Sequence, residues 1–192
     1  MPVRDYVETL VTAQVDGPVL TAAARNSAIP PAAVYTIPAN FFDYIGKQIR
    51  IRATGRISTV ITTPGDARFD VNFLDTVAAN AIVFDGLAVK LETVTAYTNV
   101  HWILDIELTC RAIGTSANLM GMGTYTAVNV FENNVIGALP RGSVVATLPW
   151  NTAPAVGANF NSTLAQQVDL RFTQTVATGS LTLHQYSLVR MN

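Results

Sequence analysis

The stretch Lys47-Gln48-Ile49-Arg50-Ile51-Arg52-Ala53-Thr54-Gly55-Arg56-Ile57-Ser58-Thr59-Val60-Ile61-Thr62 decides the fold. Ile49, Ile51, Ala53, Ile57 and Ile61 fall on odd positions, and Arg50, Arg52, Thr54, Arg56 and Ser58 on even ones. Side chains of an extended strand point alternately to its two faces, so this period of two predicts a strand with one face in a core and the other toward solvent or a partner. Gly55 interrupts the run and predicts a bulge or sharp bend, which would let the strand serve two sheets.

Working outward, Thr63-Pro64-Gly65-Asp66 reads as a turn, with Pro64 fixing one backbone angle and Gly65 supplying a positive one. Phe69, Val71 and Phe73 then alternate with Arg68, Asp70 and Asn72, predicting a half-buried strand antiparallel to the one before. From Val100 to Ala112 the apolar set Val100, Trp102, Leu104, Ile106, Leu108, Cys110 and Ala112 opposes His101, Asp105, Glu107, Thr109 and Arg111. Gly114-Thr115-Ser116 marks another turn, and residues 117–131 resume an extended pattern broken by Gly121 and Gly123, glycines that suit close backbone packing.

A long irregular segment with Pro140, Gly142, Pro149, Pro154 and Gly157 follows before Val168, Leu170 and Phe172 alternate again. Near the C-terminus Leu181 and Leu183 share one parity and Tyr186 and Leu188 the other. A bulge at His184-Gln185 would keep all four inward. Helical periodicity is confined to one short candidate, Asn40 to Ile45, with Asn40 as N-cap and Gly46 as terminator.

Many strands separated by Pro and Gly turns predict an all-β, antiparallel β-sandwich of jelly-roll type. Residues 37–192 form the sandwich domain. Residues 1–36 read as an N-terminal strand, from Val7, Val11 and Val15, followed by an irregular arm that Pro18, Pro30 and Pro31 would lay on a neighbour. No fixed-period repeat or linker divides the chain further.

Composition narrows the functional classes. The 192 residues are 49% hydrophobic and only 13% charged, against roughly 25% charged in ordinary soluble proteins. A surface so poor in charge predicts cover by partners, and symmetric self-association is the commonest cover; solubilisation by the many Thr, Ser and Asn side chains is the plainer alternative. A formal net charge of -1 offers no basic field for nucleic acid. No apolar run approaches the roughly 18 residues of a spanning helix, and Met1-Pro2-Val3-Arg4-Asp5 lacks the pattern of a signal peptide, so folding in a cytoplasm is expected.

Chemistry is hard to place. Cys110 is the only cysteine and reads as a buried structural thiol, which leaves no intramolecular disulfide and no cysteine-based zinc site. His101, four residues before Asp105 on one strand face, reads as a surface hydrogen-bonding pair, and His184 as part of a strand bulge. Gly121-Met122-Gly123 is only a fragment of a dinucleotide fingerprint and lacks the helix that must follow. The carboxylates Asp66, Asp70, Asp75, Asp105 and Glu107 are spread over turns and polar strand faces. Any two could meet as a glycosidase pair, which leaves a polysaccharide hydrolase as a third hypothesis. No enzyme activity, cofactor or metal is expected. Trp102 belongs to the core by parity, whereas Trp150, between Pro149 and Asn151, is the candidate for contact with a partner or glycan. Asn161-Ser162-Thr163 matches a glycosylation acceptor, with little weight in the absence of a secretion signal.

The segments Ile37-Pro38-Ala39-Asn40-Phe41-Phe42, Ile49 to Ser58, Thr62-Thr63-Pro64-Gly65 and His184-Gln185-Tyr186 together resemble jelly-roll structural proteins of tailed bacteriophage virions. The resemblance covers roughly residues 37–192 and concerns structural rather than catalytic motifs. It implies a virion protein made in the host cytoplasm. For a domain of this size it implies a head decoration protein that stabilises the capsid by binding a major capsid protein at the outer surface, often as a homotrimer. Candidate contact residues are Arg50, Arg52 and Arg56 as a polar-face stripe, together with Trp150, the N-terminal arm and the loop around 140–160. The alternative is a tail or host-surface carbohydrate-binding module.

Overall fold

The computed structural model describes residues 7–75, 77, 80–132, 143–150 and 152–191. Within them lie β1 (Glu8–Thr12), β2 (Arg25–Ser27), β3 (Tyr35–Ile37), β4 (Gln48–Thr59), β5 (Asp66–Asp75), β6 (Asn80–Asp85), β7 (Val89–Lys90), β8 (Tyr97–Ala112), β9 (Asn118–Phe131), β10 (Ser143–Leu148), β11 (Gln166–Gln174) and β12 (Ser180–Arg190), with one 3-10 turn at Pro31–Ala33. They build an antiparallel β-sandwich. Sheet A runs β1-β12-β4-β8-β9-β10 and sheet B runs β2-β11-β5-β6, with β3 also on β11 and β7 also on β5. The chain's outer strand pairs, β4 with β12 and β5 with β11, lie side by side in opposite sheets, the wrapping expected of a jelly roll, while β8, β9 and β10 extend sheet A as a meander.

The alternation read in the sequence becomes the core. Ile49, Ile51, Ala53 and Ile57 of β4 and Trp102, Leu104, Ile106, Leu108 and Cys110 of β8 are buried, and sheet B sends Phe69, Val71, Phe73, Val168, Leu170 and Phe172 to meet them. Phe69 sits at the centre, its ring 5.2 Å from Trp102, 5.0 Å from Tyr125 and 5.1 Å from Phe172. Each such side chain contributes about 1.5–3 kcal/mol on leaving water, so the aromatic group supplies much of the force that holds the sheets face to face.

Several expectations are corrected. The Pro64-Gly65 turn, with Gly65 at φ +70, carries the chain from one sheet to the other, so β5 pairs with β11, β6 and β7 and not with β4. β4 stays in sheet A along its whole length, so Gly55 does not let it serve two sheets. The irregularity lies opposite, where β12 shifts register between Leu183 and Gln185, the position expected for the His184 bulge. A Cβ on Gly55 would stand 2.0 Å from the Thr182 carbonyl oxygen, so glycine is what lets the bulged strand approach. Asn40 to Ile45 form no helix. Asn40 adopts φ +59, incompatible with an N-cap, and Gly46 donates its N–H to the Cys110 carbonyl. Within the segment read as irregular, Ser143–Leu148 is a strand on β9. Pro149, Pro154 and Gly157 lie outside the strands as expected, and Pro140 and Gly142 lie outside the described residues.

The largest change concerns residues 7–37. The segment expected to lie on a neighbour instead closes its own sandwich. β1 pairs with β12, from Glu8 opposite Arg190 to Thr12 opposite Ser187, and a strap continues along the same edge through Ala13, Gly17 and Leu20, whose N–H groups bond Tyr186, Leu183 and Leu181. The chain then crosses to sheet B as β2 and β3, both on β11. Gly17 has no room for a Cβ, since the Ala28 carbonyl oxygen would be 2.1 Å away. The strap and the sheet B edge are therefore in direct backbone contact.

Candidate functional site

Sheet B turns an unusual face outward. On β5 the outward positions are Arg68, Asp70, Asn72 and Leu74. Across the register lie Thr173, Arg171, Asp169 and Gln167 of β11, with Arg25 and Ser27 of β2 beyond them and Asp85 of β6 opposite Asp70. Three arginines and three aspartates thus gather on one face of a chain that carries only 12 Lys and Arg and 13 Asp and Glu in total. They are paired with care. Arg25 Nε donates to both Asp70 oxygens at 3.1 and 3.0 Å and its Nη2 also bonds Asp70 and reaches Asn72 Oδ1 at 3.2 Å. The Asp70 hydrogen bond raises the Arg25 pKa above its ordinary value, keeping the guanidinium charged. Arg68 donates twice to Asp85, at 2.7 and 2.6 Å, and Asp169 accepts from Ser27 Oγ at 2.6 Å and from Arg171 Nε at 2.8 Å.

Asp70 and Asn72 are fully buried although they stand on the outward face. The Arg25 side chain reaches over both. Pro30 and Pro31 lack backbone donors, and between β2 and β3 the chain leaves the edge of β11. With the strap it walls a cleft of about 520 Å³, within the usual range for small-ligand sites. Gly17, Pro18, Ile29, Pro30, Pro31, Val34 and Leu74 supply its apolar lining and Asp16, Ser27, Asn72, Gln167, Asp169 and Arg171 its polar groups. Asp16 is held at the rim by His184, whose Nδ1 is 3.0 Å from its carboxylate.

The floor holds an unspent donor. Arg25 only donates, so it fixes Asn72 with Oδ1 toward the guanidinium and Nδ2 away from it, and that Nδ2 is buried without a hydrogen-bond partner. A buried amide donor left unpaired costs about 1–3 kcal/mol, which the rest of the fold offsets.

The residues singled out from the sequence lie elsewhere. Arg50, Arg52 and Arg56 stand on the outer face of sheet A, opposite Glu107, Asp105 and His101 of β8. Asp105 receives Arg50, through Nε at 2.7 Å and through Nη2, and stands 3.6 Å from Arg52 Nε, so its carboxylate serves the arginines and not His101. Arg56 donates to the Asn99 carbonyl at 3.2 Å and is exposed. Trp150 is 5% exposed and packs into the hydrophobic core, so its ring offers no stacking surface to a glycan or partner. Its N–H bonds the Gly86 carbonyl, which draws the loop inward. Sequence reading missed the cleft because its walls come from the segment taken for an arm. Its one visible signal was the row Arg68, Asp70, Asn72 facing Asp169 and Arg171. Among the described residues no three His, Cys, Asp or Glu side chains converge as a metal site would require.

Fold and site together define an antiparallel β-sandwich with an open, mixed polar and apolar cleft on one outer face. Among solved structures the chain is similar to the CBM2 module of the evolved Dit of Lactobacillus casei BL23 phage J-1, with 9% identity over 99% of each chain and a TM-score of 0.37. No residue role is carried over from it. No protein-family model and no curated protein matches the chain.

Proposed function

We propose that the chain is a non-catalytic binding module of a virion that holds a saccharide in the sheet B cleft. The virion context rests on the resemblance in sequence to structural proteins of tailed phages. The saccharide rests on one observation: carboxylate, amide and guanidinium groups converge beside an apolar wall in a cleft of ligand size. Sugars present hydroxyls that both donate and accept along their edges and C–H groups on their faces, and such a lining meets both. Binding to a glycan array, followed by calorimetry on the hits, is the test. Gln167→Ala, which removes an exposed lining side chain, should weaken the captured glycan several-fold with an unchanged melting temperature, whereas Trp150→Ala should act through stability. A protein that retains no glycan on the array refutes the assignment.

Capsid decoration has a separate observation in its favour. Met122, Val128 and Val145 are exposed apolar side chains on β9 and β10 of sheet A, the kind of surface a shell or a second copy covers. Light scattering and capsid co-sedimentation test that reading. A stable monomer that does not sediment with capsids removes it without touching the cleft.

A further inference from the structure

We infer that sheet A carries a second binding site, for a singly charged oxyanion, in the hollow between β1, β12 and β4, with Arg52 as its charged group. This site stands apart from the sheet B cleft and is independent of what the cleft holds.

The hollow lies where β1 ends. Thr12, the last residue of β1, pairs with Ser187, and Ala13 still donates its N–H to the Tyr186 carbonyl. The strap bonds β12 again at Gly17, whose N–H reaches the Leu183 carbonyl, and β12 shifts register between Leu183 and Gln185 at the same place. Here the surface opens into a hollow of about 430 Å³ with Thr12, Arg52, Thr54, Gln185 and Ser187 as its polar lining. Register sets these side chains in two adjacent rows, Thr12 beside Ser187 beside Arg52, and Gln185 beside Thr54. Neighbouring strands stand about 4.8 Å apart and alternate residues about 7 Å apart along a strand, so five donor side chains share a patch of about 10 by 7 Å. All five are exposed or half-buried, within reach of a ligand from solvent.

Their donors are unengaged. Among the described residues none of the five side chains has a hydrogen-bond partner. Arg52 meets Asp105 only as an ion contact, with Nε at 3.6 Å, while the Asp105 carboxylate accepts two hydrogen bonds from Arg50. On sheet B, by contrast, Arg25, Arg68 and Arg171 each donate to a carboxylate. Arg50, Arg52 and Asp105 together leave one positive charge, and no carboxylate lines the hollow.

That lining selects its occupant by chemistry. A guanidinium carries five donors and no acceptor, so the group it meets must bring acceptor oxygens. An ammonium is repelled, and a neutral hydroxyl brings an acceptor without the charge. A carboxylate or a phosphodiester brings two charged oxygens that match the guanidinium fork, with lone pairs left for the hydroxyls and the amide.

The experiment titrates the full isotopically labelled chain with galacturonate, dimethyl phosphate and glucose, followed by nuclear magnetic resonance. Backbone amides at 12–13, 52–54 and 185–187 should shift and saturate at millimolar concentrations of the anions and stay in place with glucose. Saturation by either anion supports the site, and the tighter one names the source as a carboxylated or a phosphodiester-linked molecule. Arg52→Gln keeps an amide donor and loses the charge; it should weaken the anion about 10- to 100-fold, the range of one charge-assisted hydrogen bond. Arg56→Gln, at an exposed arginine of the same face outside the hollow, should leave the affinity unchanged. The shift map is read on the unaltered protein, so a variant that fails to fold leaves the inference falsifiable. Absence of saturation with both anions within tens of millimolar overturns it, as does glucose moving the same amides equally. Equal losses in the two variants would show diffuse charge and overturn the role of Arg52. Amides lining the cleft, such as that of Gln167, report on the saccharide reading separately.

Discussion

The Arg25–Asp70 pair gives the sharpest test of how the cleft floor is held. Its two members differ in burial: the Asp70 side chain is 0% exposed and that of Arg25 25%. Arg25→Met strands a carboxylate with no route to water and with Asp85 opposite it in register. Removing one partner of a buried pair costs about 3–5 kcal/mol, and full burial of the survivor places this variant in that range. Asp70→Asn is milder. It keeps an oxygen acceptor for the guanidinium, which also holds Asn72 at 3.2 Å and turns part of its surface to solvent. The loss is then of the order of one charge-assisted hydrogen bond, about 1–2 kcal/mol net. For a chain of this size each kcal/mol moves the melting temperature by about 2–4 °C, so Arg25→Met should melt about 6–20 °C below the parent and Asp70→Asn about 2–8 °C below. Urea unfolding by circular dichroism and tryptophan fluorescence measures both, and the double variant should fall between the two, since the stranded charge is gone but the buried side chains at 70 and 72 have lost their donor. If Arg25→Met costs no more than Asp70→Asn, the burial asymmetry does not govern the pair and the account of the floor fails.

Two further outcomes follow from the packing. Gly55→Ala should destabilise the fold by about 1–3 kcal/mol or more, because the Thr182 carbonyl oxygen that the methyl meets belongs to backbone and can yield only by opening the β4–β12 pairing; an unchanged urea midpoint would contradict this. Cys110 is fully buried, and burial raises its thiol pKa, so an aromatic disulfide reagent at pH 8 should label it only after unfolding. Labelling of native protein at the rate of a free thiol would show that the β8 core opens readily.

The sequence displays faces more readily than it displays neighbours. Parity in Ile49 to Ile57 and in Trp102 to Cys110 identifies inward residues because a strand's period is a property of the strand alone. Parity does not say which sheet a strand joins, so β5 looked like the hairpin partner of β4 when the Pro64-Gly65 turn crosses between layers. The parity change at His184 was legible because four apolar residues demanded a register shift. β10 was hidden among Pro and Gly residues that end strands elsewhere. The cleft was the hardest part, since Asp70 and Asn72 sit at positions that alternation assigns to solvent. Their burial goes with a contact from another strand, the reach of Arg25 to both, which alternation along β5 does not show.

The pairing of β1 with β12 has a consequence for how such a domain travels. Glu8 and Arg190 are opposed across one ladder rung, so the polypeptide enters and leaves the sandwich at points about 5 Å apart. A unit with neighbouring entry and exit points fits into a surface turn of a host protein without prying its stems apart. The same sandwich, spliced into a turn of an unrelated carrier, should fold there and bring its outward sheet B face with it.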